Sequence, residues 1–210
     1  MQLLRLDSSA RRDLSVSREL TGRFTTAWKA ANPGSRVVER DLSAMPLSHV
    51  TDRWVQARDT DPASQTQEQR ETLALSEELI AELQAADVIV LGSPMYNFGI
   101  SAALKAWIDM IIRQGKTVDF SVRPPVGLVQ GKRLVLLLAQ GGQYTPGSPT
   151  AGFDFQEPYL RHVLGIIGLK DISVIRADRQ LYGEEAAALS RHDALEQIGI
   201  TVSELSKAAA

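Results

Sequence analysis

Two short runs, VIVL at 88–91 and LVLLLA at 134–139, are apolar at every successive position. A strand with one face in water alternates apolar and polar residues, so a run without alternation needs cover on both faces. The arrangement that supplies it is a parallel sheet held between two layers of helices. The rest of the chain provides the parts. Leu3, Leu4 and Leu6 predict a first strand, residues 15–31 a helix stopped by Asn32-Pro33-Gly34, and SRVVER at 35–40 a second strand. Residues 41–64 read as irregular, with a short helix near TDRWVQA or a surface loop. Leu75, Leu79 and Leu83 place a helix over about 65–85, ahead of the strand ADVIVLG. DISVIRA at 171–177 is the fifth strand, and Leu195, Ile198, Val202 and Leu205 mark the last helix. TVDFSVRPPVGLVQG, 117–131, reads as an extended excursion or hairpin before the fourth strand. Five β/α repeats make a doubly wound three-layer sandwich. With 210 residues, 44% of them hydrophobic, residues 1–210 read as a single domain with a full core.

Several function classes are excluded on charge and residue content. A formal charge of −2 with no long run of Lys or Arg leaves nothing to neutralise a nucleic-acid backbone. Without cysteine there is no disulfide framework, thiolate nucleophile or thiolate metal site. His49, His162 and His192 stand far apart, with no metal-ligand spacing. There is no G-x-S-x-G elbow and no evident carboxylate pair, so no side chain is assigned as a catalyst. Arg5 and Asp7 interrupt the apolar stretch of MQLLRLDSS, which reads as too short and charged for a signal peptide, and no apolar run nears a membrane span. The expectation is a cytoplasmic protein.

In open parallel sheets ligands bind beyond the carboxyl ends of the strands. Three loops there are rich in special residues. The first, DSSARRDLSVS, sets Ser8, Ser9, Ser15 and Ser17 around Arg11 and Arg12 before a helix, a combination that favours phosphate; an ordinary helix cap in a polar loop is the competing reading. It contains no glycine, so it is neither a dinucleotide fingerprint nor a Walker loop. In the second, SPMYNFG, Pro94 ends the strand and presents Met95 to Phe98. Tyr96 and Phe98 suit a flat ring and Asn97 its polar edge, or the aromatics are packing plugs. The stripe Ile100, Leu104, Trp107, Ile108 and Ile111 then reads as core or subunit interface. In the third, Gly141 and Gly142 follow the strand, with Tyr144 close behind, and allow close backbone approach to a planar ligand or merely make a turn. A phosphate clamp and ring-binding loops without an acid–base team suggest that a cofactor carries the reaction.

SPMYNFGISAALKAWID closely resembles the core motif of the FMN-dependent NADH azoreductase and NADH:quinone oxidoreductase family. SSARRDLSVS matches that family's spaced serines, and VGLVQGKRLVLLLAQGG and EPYLRHVLGIIGLKDI follow in the expected order, so the resemblance spans nearly the whole chain. It implies a flavodoxin-like fold with a five-stranded parallel sheet in the order 2-1-3-4-5. It implies further that Ser9, Ser15, Ser17 and the amide of Val16 hold the FMN phosphate. Met95, Tyr96, Asn97 and Phe98 then border the isoalloxazine, and Gln140, Gly141 and Gly142 lie at its pyrimidine end. It also implies a homodimer in which Phe120 reaches the partner's flavin pocket. The chain departs from the family's pattern at Ala139-Gln140, where a polar pair such as Ser-Arg is usual, and at Val118, where many members have Phe. The implied activity is a ping-pong transfer from NADH or NADPH through the flavin to a quinone or azo compound. Two rivals stand beside it: a flavodoxin-type electron carrier, for which a net charge of −2 offers little steering, and a flavin-free interaction protein on the same fold.

Overall fold

The computed structural model describes residues 1–45, 47 and 49–207. Its main sheet has five parallel strands: β1 Gln2–Asp7, β2 Arg36–Asp41, β3 Val88–Pro94, β6 Arg133–Ala139 and β7 Asp171–Ala177, in the order β2-β1-β3-β6-β7. The two remaining strands, β4 Val118–Asp119 and β5 Val126–Gly127, form the antiparallel hairpin predicted between 117 and 131. With that hairpin set aside, the order is the 2-1-3-4-5 expected of the sequence. The helices are α1 Val16–Ala31, α2 Asp52–Asp59, α3 Gln67–Ala85, α4 Ala102–Ile111, α5 Glu157–Ile166 and α6 Glu184–Lys207.

Alternation along the strands divides the core in two. Leu4, Leu6, Ile89, Leu91, Leu134, Leu136 and Leu138 point to the face covered by α3, α4 and α5. Leu3, Val88, Val90, Val135, Leu137 and Ile175 point to the face covered by α1 and α6, where they meet Leu20, Phe24, Trp28, Ile198 and Val202. The continuous apolar runs are therefore two interleaved sets with period two, each buried under its own helical layer.

Two details differ from the sequence reading, and a third settles one of its alternatives. The buried face of α3 is Leu73, Ser76, Leu79, Ile80 and Leu83, with Leu75 at its rim, because a strict spacing of four drifts around a helix of 3.6 residues per turn. On α6 small residues carry much of the contact: Ala187, Ser190 and Ala194 are buried whereas Leu195 is half-buried. Residues 52–59 are helical, and Trp54 closes a small satellite cluster with Ala57 and Leu73. Among the described residues no helix is long and apolar enough to cross a membrane.

Candidate functional site

The carboxyl ends of β1, β3, β6 and β7 surround a cleft of about 370 Å³. Eight of the eleven residues expected to hold a cofactor line it: Ser9, Ser15, Val16, Ser17, Met95, Tyr96, Gln140 and Gly141. The other three flank it. Asn97 and Phe98 form the exposed tip of the second loop, and Gly142 adjoins Gly141. A larger hollow of about 860 Å³ lies at the opposite edge, beneath the hairpin, against Arg133 and Asp171 at the starts of β6 and β7. No helix begins there to offer free amides, whereas α1 begins in the upper cleft.

The first loop sets serine hydroxyls at the start of a helix. Ser15 stands at the N-cap of α1 in an extended conformation, yet its hydroxyl makes no capping bond. Among the described residues the only hydrogen bond of the Ser15 Oγ is to the Ser17 Oγ, 3.4 Å away, and the reverse holds for Ser17. Two hydroxyls and the start of a helix thus face the cleft with donors to spare. Ser8 belongs to the framework, donating from Oγ to the Gly92 carbonyl at 2.8 Å. Gly92 itself lets α1 approach β3: a Cβ there meets Thr21 Cγ2 at 2.7 Å and the Ser17 carbonyl at 3.1 Å.

Arg18, which the sequence reading passed over, organises the loop. Its guanidinium donates to both carboxylate oxygens of Asp41 (2.9 and 2.7 Å), to the Ser43 hydroxyl, and to the carbonyls of Ser9 (2.6 Å) and Arg11 (3.0 Å). A cation in the first turn of a helix opposes the helix dipole. That misplaced charge was the available signal, and Asp41 at the end of β2 is its explanation. Arg11 lines the cleft, while Arg12 is simply exposed. Burial alone pushes the Asp41 carboxyl up, but the bonds from Arg18 and Ser43 outweigh it and hold it below 3.8. Its contribution to stability is present above the unfolded-state value and lost as pH falls through the lower folded one. Asp41→Asn should therefore lower the melting temperature at pH 7, and the gap to the parent should close as pH drops below 3.8. Burial raises the Asp7 carboxyl, the opposite sign, but parent and variant share that group.

In the second loop β3 ends at Pro94, as the sequence predicts. Pro94 still pairs with Ala139 and the Met95 N–H donates to the Ala139 carbonyl at 2.8 Å. Successive amides of a strand point to opposite sides, so the donor missing at Pro94 falls on the side of β1, whose pairing with β3 has ended at Gly92. The chain turns one step later. Tyr96 and Gly99 exchange two backbone bonds of 3.0 Å, with Asn97 at φ 47° and Phe98 at φ 69° between them, the pattern of a type I′ turn. Asparagine tolerates that region and phenylalanine does not, so Phe98 stores strain at the tip, of order 1–3 kcal/mol. Tyr96 reaches back to the first loop: its hydroxyl accepts from the Ala10 amide at 3.2 Å and lies 3.4 Å from Ser9 Oγ. The helical stripe from Leu104 to Ile111 is core.

The third loop is less bare than its glycines suggested. A Cβ at Gly141 meets Leu181 Cδ1 at 2.8 Å, and one at Gly142 meets the Tyr144 hydroxyl at 2.8 Å. Gln140 is buried, with its side chain turned toward Gln156. Three loops also proved too few. Residues 178–183, after β7, bring Gln180 and the 84% exposed Leu181 into the cleft. Residues 143–155 fold back so that Tyr144 and Phe153 pack on Phe98, with ring centres 6.2 and 5.6 Å away. Exposed aromatics in FDF at 153–155 were the overlooked signal. Phe120 lines a separate depression with Arg58, Thr60, Pro62 and Ile112.

Comparison with known proteins places the chain among relatives. The family model described as having the flavodoxin-like fold matches residues 1–200. FMN-dependent NADH:quinone oxidoreductase 2 of Trichormus variabilis is 43% identical over 201 residues, covering 95% of this chain and 97% of that protein. FMN-dependent NADH:quinone oxidoreductase of Azotobacter vinelandii is 47% identical over 178 residues, covering 84% and 87%. The crystal structure of an azoreductase from Bacillus anthracis superimposes with a TM-score of 0.88 at 26% identity, over 97% of this chain and 99% of that one.

Proposed function

The chain belongs to the flavodoxin-like-fold family that includes the FMN-dependent NADH:quinone oxidoreductases, and on that premise we propose that it is an FMN-dependent NAD(P)H oxidoreductase acting on quinones and azo compounds. One observation carries this reading: two serine hydroxyls, with no partner but each other among the described residues, stand at a helix start without a side-chain cap, in the same cleft as the Met95–Tyr96 edge and the Gly141 backbone.

The residues present fit FMN. Ser15, Ser17, Ser9 and the Val16 amide form the phosphate end, supported from below by Arg18. Met95, Tyr96, Asn97 and Phe98 border the ring system, and Gln140, Gly141 and Gly142 close the pyrimidine end, with Leu181 as a wall over Gly141. FMN held by these residues would supply the redox chemistry, two-electron transfer from NADH or NADPH to the acceptor in a ping-pong sequence, with protons from solvent. The protein's part is placement: Met95 to Phe98 and the Gly141–Gly142 backbone would hold the ring between the strand tips, and the exposed Phe98, Phe153 and Phe155 would offer flat substrates an apolar approach. No side chain is assigned to move a proton. The whole site lies within one domain, 1–210. The functional unit is a homodimer in the cytoplasm, with Phe120 and the exposed apolar residues Val122, Val126 and Leu128 of its hairpin meeting the second copy. Sedimentation at micromolar concentration tests the dimer.

The deciding experiment mixes FMN-loaded protein with NADH and then NADPH without oxygen. Bleaching near 450 nm, reversed by benzoquinone or an azo dye, is the expected result, with parallel lines in steady-state double-reciprocal plots. A flavin that stays oxidised overturns the proposal. Within the same assay Asn97→Ala should raise the Kd for FMN, or slow bleaching, by roughly ten- to a hundredfold. The loss combines the cost of a left-handed alanine, about 1 kcal/mol, with that of a polar contact. Asn97→Gly keeps the turn and should lose only the second part. Unchanged behaviour of the alanine variant removes Asn97 from the site.

A further inference from the structure

Three of the structural elements around the cleft are tied together from beneath by one short segment. The Phe155 N–H donates to the Phe98 carbonyl at 3.0 Å, which holds the strained tip of the second loop. Gln156 has no exposed surface. Its Nε2 donates to both the carbonyl and the hydroxyl of Ser93, each at 3.0 Å, and its Oε1 accepts from Gln140 Nε2 at 3.0 Å. Asp154 Oδ1 in turn accepts from the amides of Gln156 (2.8 Å) and Glu157 (3.1 Å), fastening the segment to the start of α5. Both donors and an acceptor lone pair of one buried amide are thus committed to the tips of β3 and β6. Gln156 itself does not line the cleft.

We propose that Gln156 is a positioning residue: by joining Ser93 to Gln140 and anchoring Phe155 under Phe98, it sets the gap between the Tyr96–Gly99 turn and the Gly141–Gly142 backbone, and hence the pose of the flavin ring. The inference rests on the FMN reading for its functional half and on hydrogen bonds alone for its structural half. A buried amide has one geometry that satisfies all three partners, and a residue that leaves them unpaired lets the two tips separate. Among the described residues the Gln140 Oε1 has no partner, and its Nε2 has besides Gln156 only the Asp154 carboxylate at 3.5 Å, so Gln156 supplies the one short bond that holds this side chain.

Gln156→Met keeps the length of the side chain and removes its polar atoms, and Gln156→Glu keeps the acceptor for Gln140 but not the donors. Amide exchange in the flavin-free protein is the first measurement. In the Met variant the amides of Phe155, Tyr96 and Gly99 should exchange at least about tenfold faster, while those in the centre of β6 stay within about twofold. FMN and riboflavin Kd should both rise about tenfold, because the ring and not the phosphate is displaced, and the limiting rate of bleaching by NADH should fall by a similar factor. The Glu variant should lie between parent and Met variant. A folded Met variant whose local exchange and flavin affinities stay within about twofold of the parent overturns the proposal, as does acceleration spread evenly over the sheet. If the Met variant does not fold, Ser93→Ala replaces it, with about threefold changes expected in the same directions and unchanged values counting against the idea. A parent protein that binds no FMN refutes the function proposed above and leaves the exchange result to judge the clasp.

Discussion

Alanine at both Ser15 and Ser17 is expected to weaken FMN binding by roughly a hundredfold to ten-thousandfold while moving riboflavin affinity by less than about threefold. Among the described residues the two hydroxyls have no acceptor but each other, and neither caps α1, so their removal costs the flavin-free protein little. A phosphate dianion changes that. Each hydroxyl then makes a charge-assisted bond worth about 1.5–3 kcal/mol, and the two losses add because both point to one ligand group. Riboflavin lacks the phosphate and has nothing to lose there. Titration by flavin fluorescence with both compounds reads the difference directly. Equal weakening of the two means that the serines shape the ring site instead, and no weakening of either moves the phosphate to another place in the cleft.

Trp28→Ala should destabilise the protein by about 3–5 kcal/mol, a drop in melting temperature of roughly 6–20 °C for a chain of this size. Trp28 is fully buried in the α1–α6 layer and stacks on Phe24, with ring centres 6.4 Å apart and planes 11° from parallel. It lies at the far end of α1 from Ser17, so the loss comes from the cavity rather than from the site. Its indole nitrogen is buried without a hydrogen-bond partner among the described residues. Trp28→Phe therefore forfeits packing volume only and should cost well under half as much. Because FMN binds the folded state alone, saturating FMN should restore part of the lost melting temperature in the alanine variant by mass action. A Trp28→Ala protein melting within about 2 °C of the parent contradicts this account of the layer.

How much of the molecule was legible before its structure depends on how local each signal is. Strands β3 and β6 announce themselves because burial on two faces is written into consecutive residues, and α1 because its stop signal at Asn32-Pro33-Gly34 is contiguous. The loop proposed to hold the phosphate and the Met95–Phe98 loop are legible in the same way, each as a continuous stretch at the end of a strand, and both border the cleft. The end of β3 at Pro94 was legible too, but which neighbour lies on the side of the missing amide depends on sheet order. The buried face of α6 was blurred by Ala187, Ser190 and Ala194, small residues that leave no hydrophobic stripe.

By itself the sequence determined the layers, the five parallel strands and the residues at three of their tips, because hydrophobic period and turn chemistry are properties of neighbouring residues. Only the tertiary structure decided that Arg18 meets Asp41, that Leu181 leans on Gly141, and that Gln156 gathers Ser93 and Gln140. Those contacts join positions 23 to 63 residues apart, except for the step of 16 from Gln140 to Gln156. Nothing in the local pattern marks such partners. They become neighbours when parallel strands cross over, which sets loops distant along the chain side by side at one edge of the sheet.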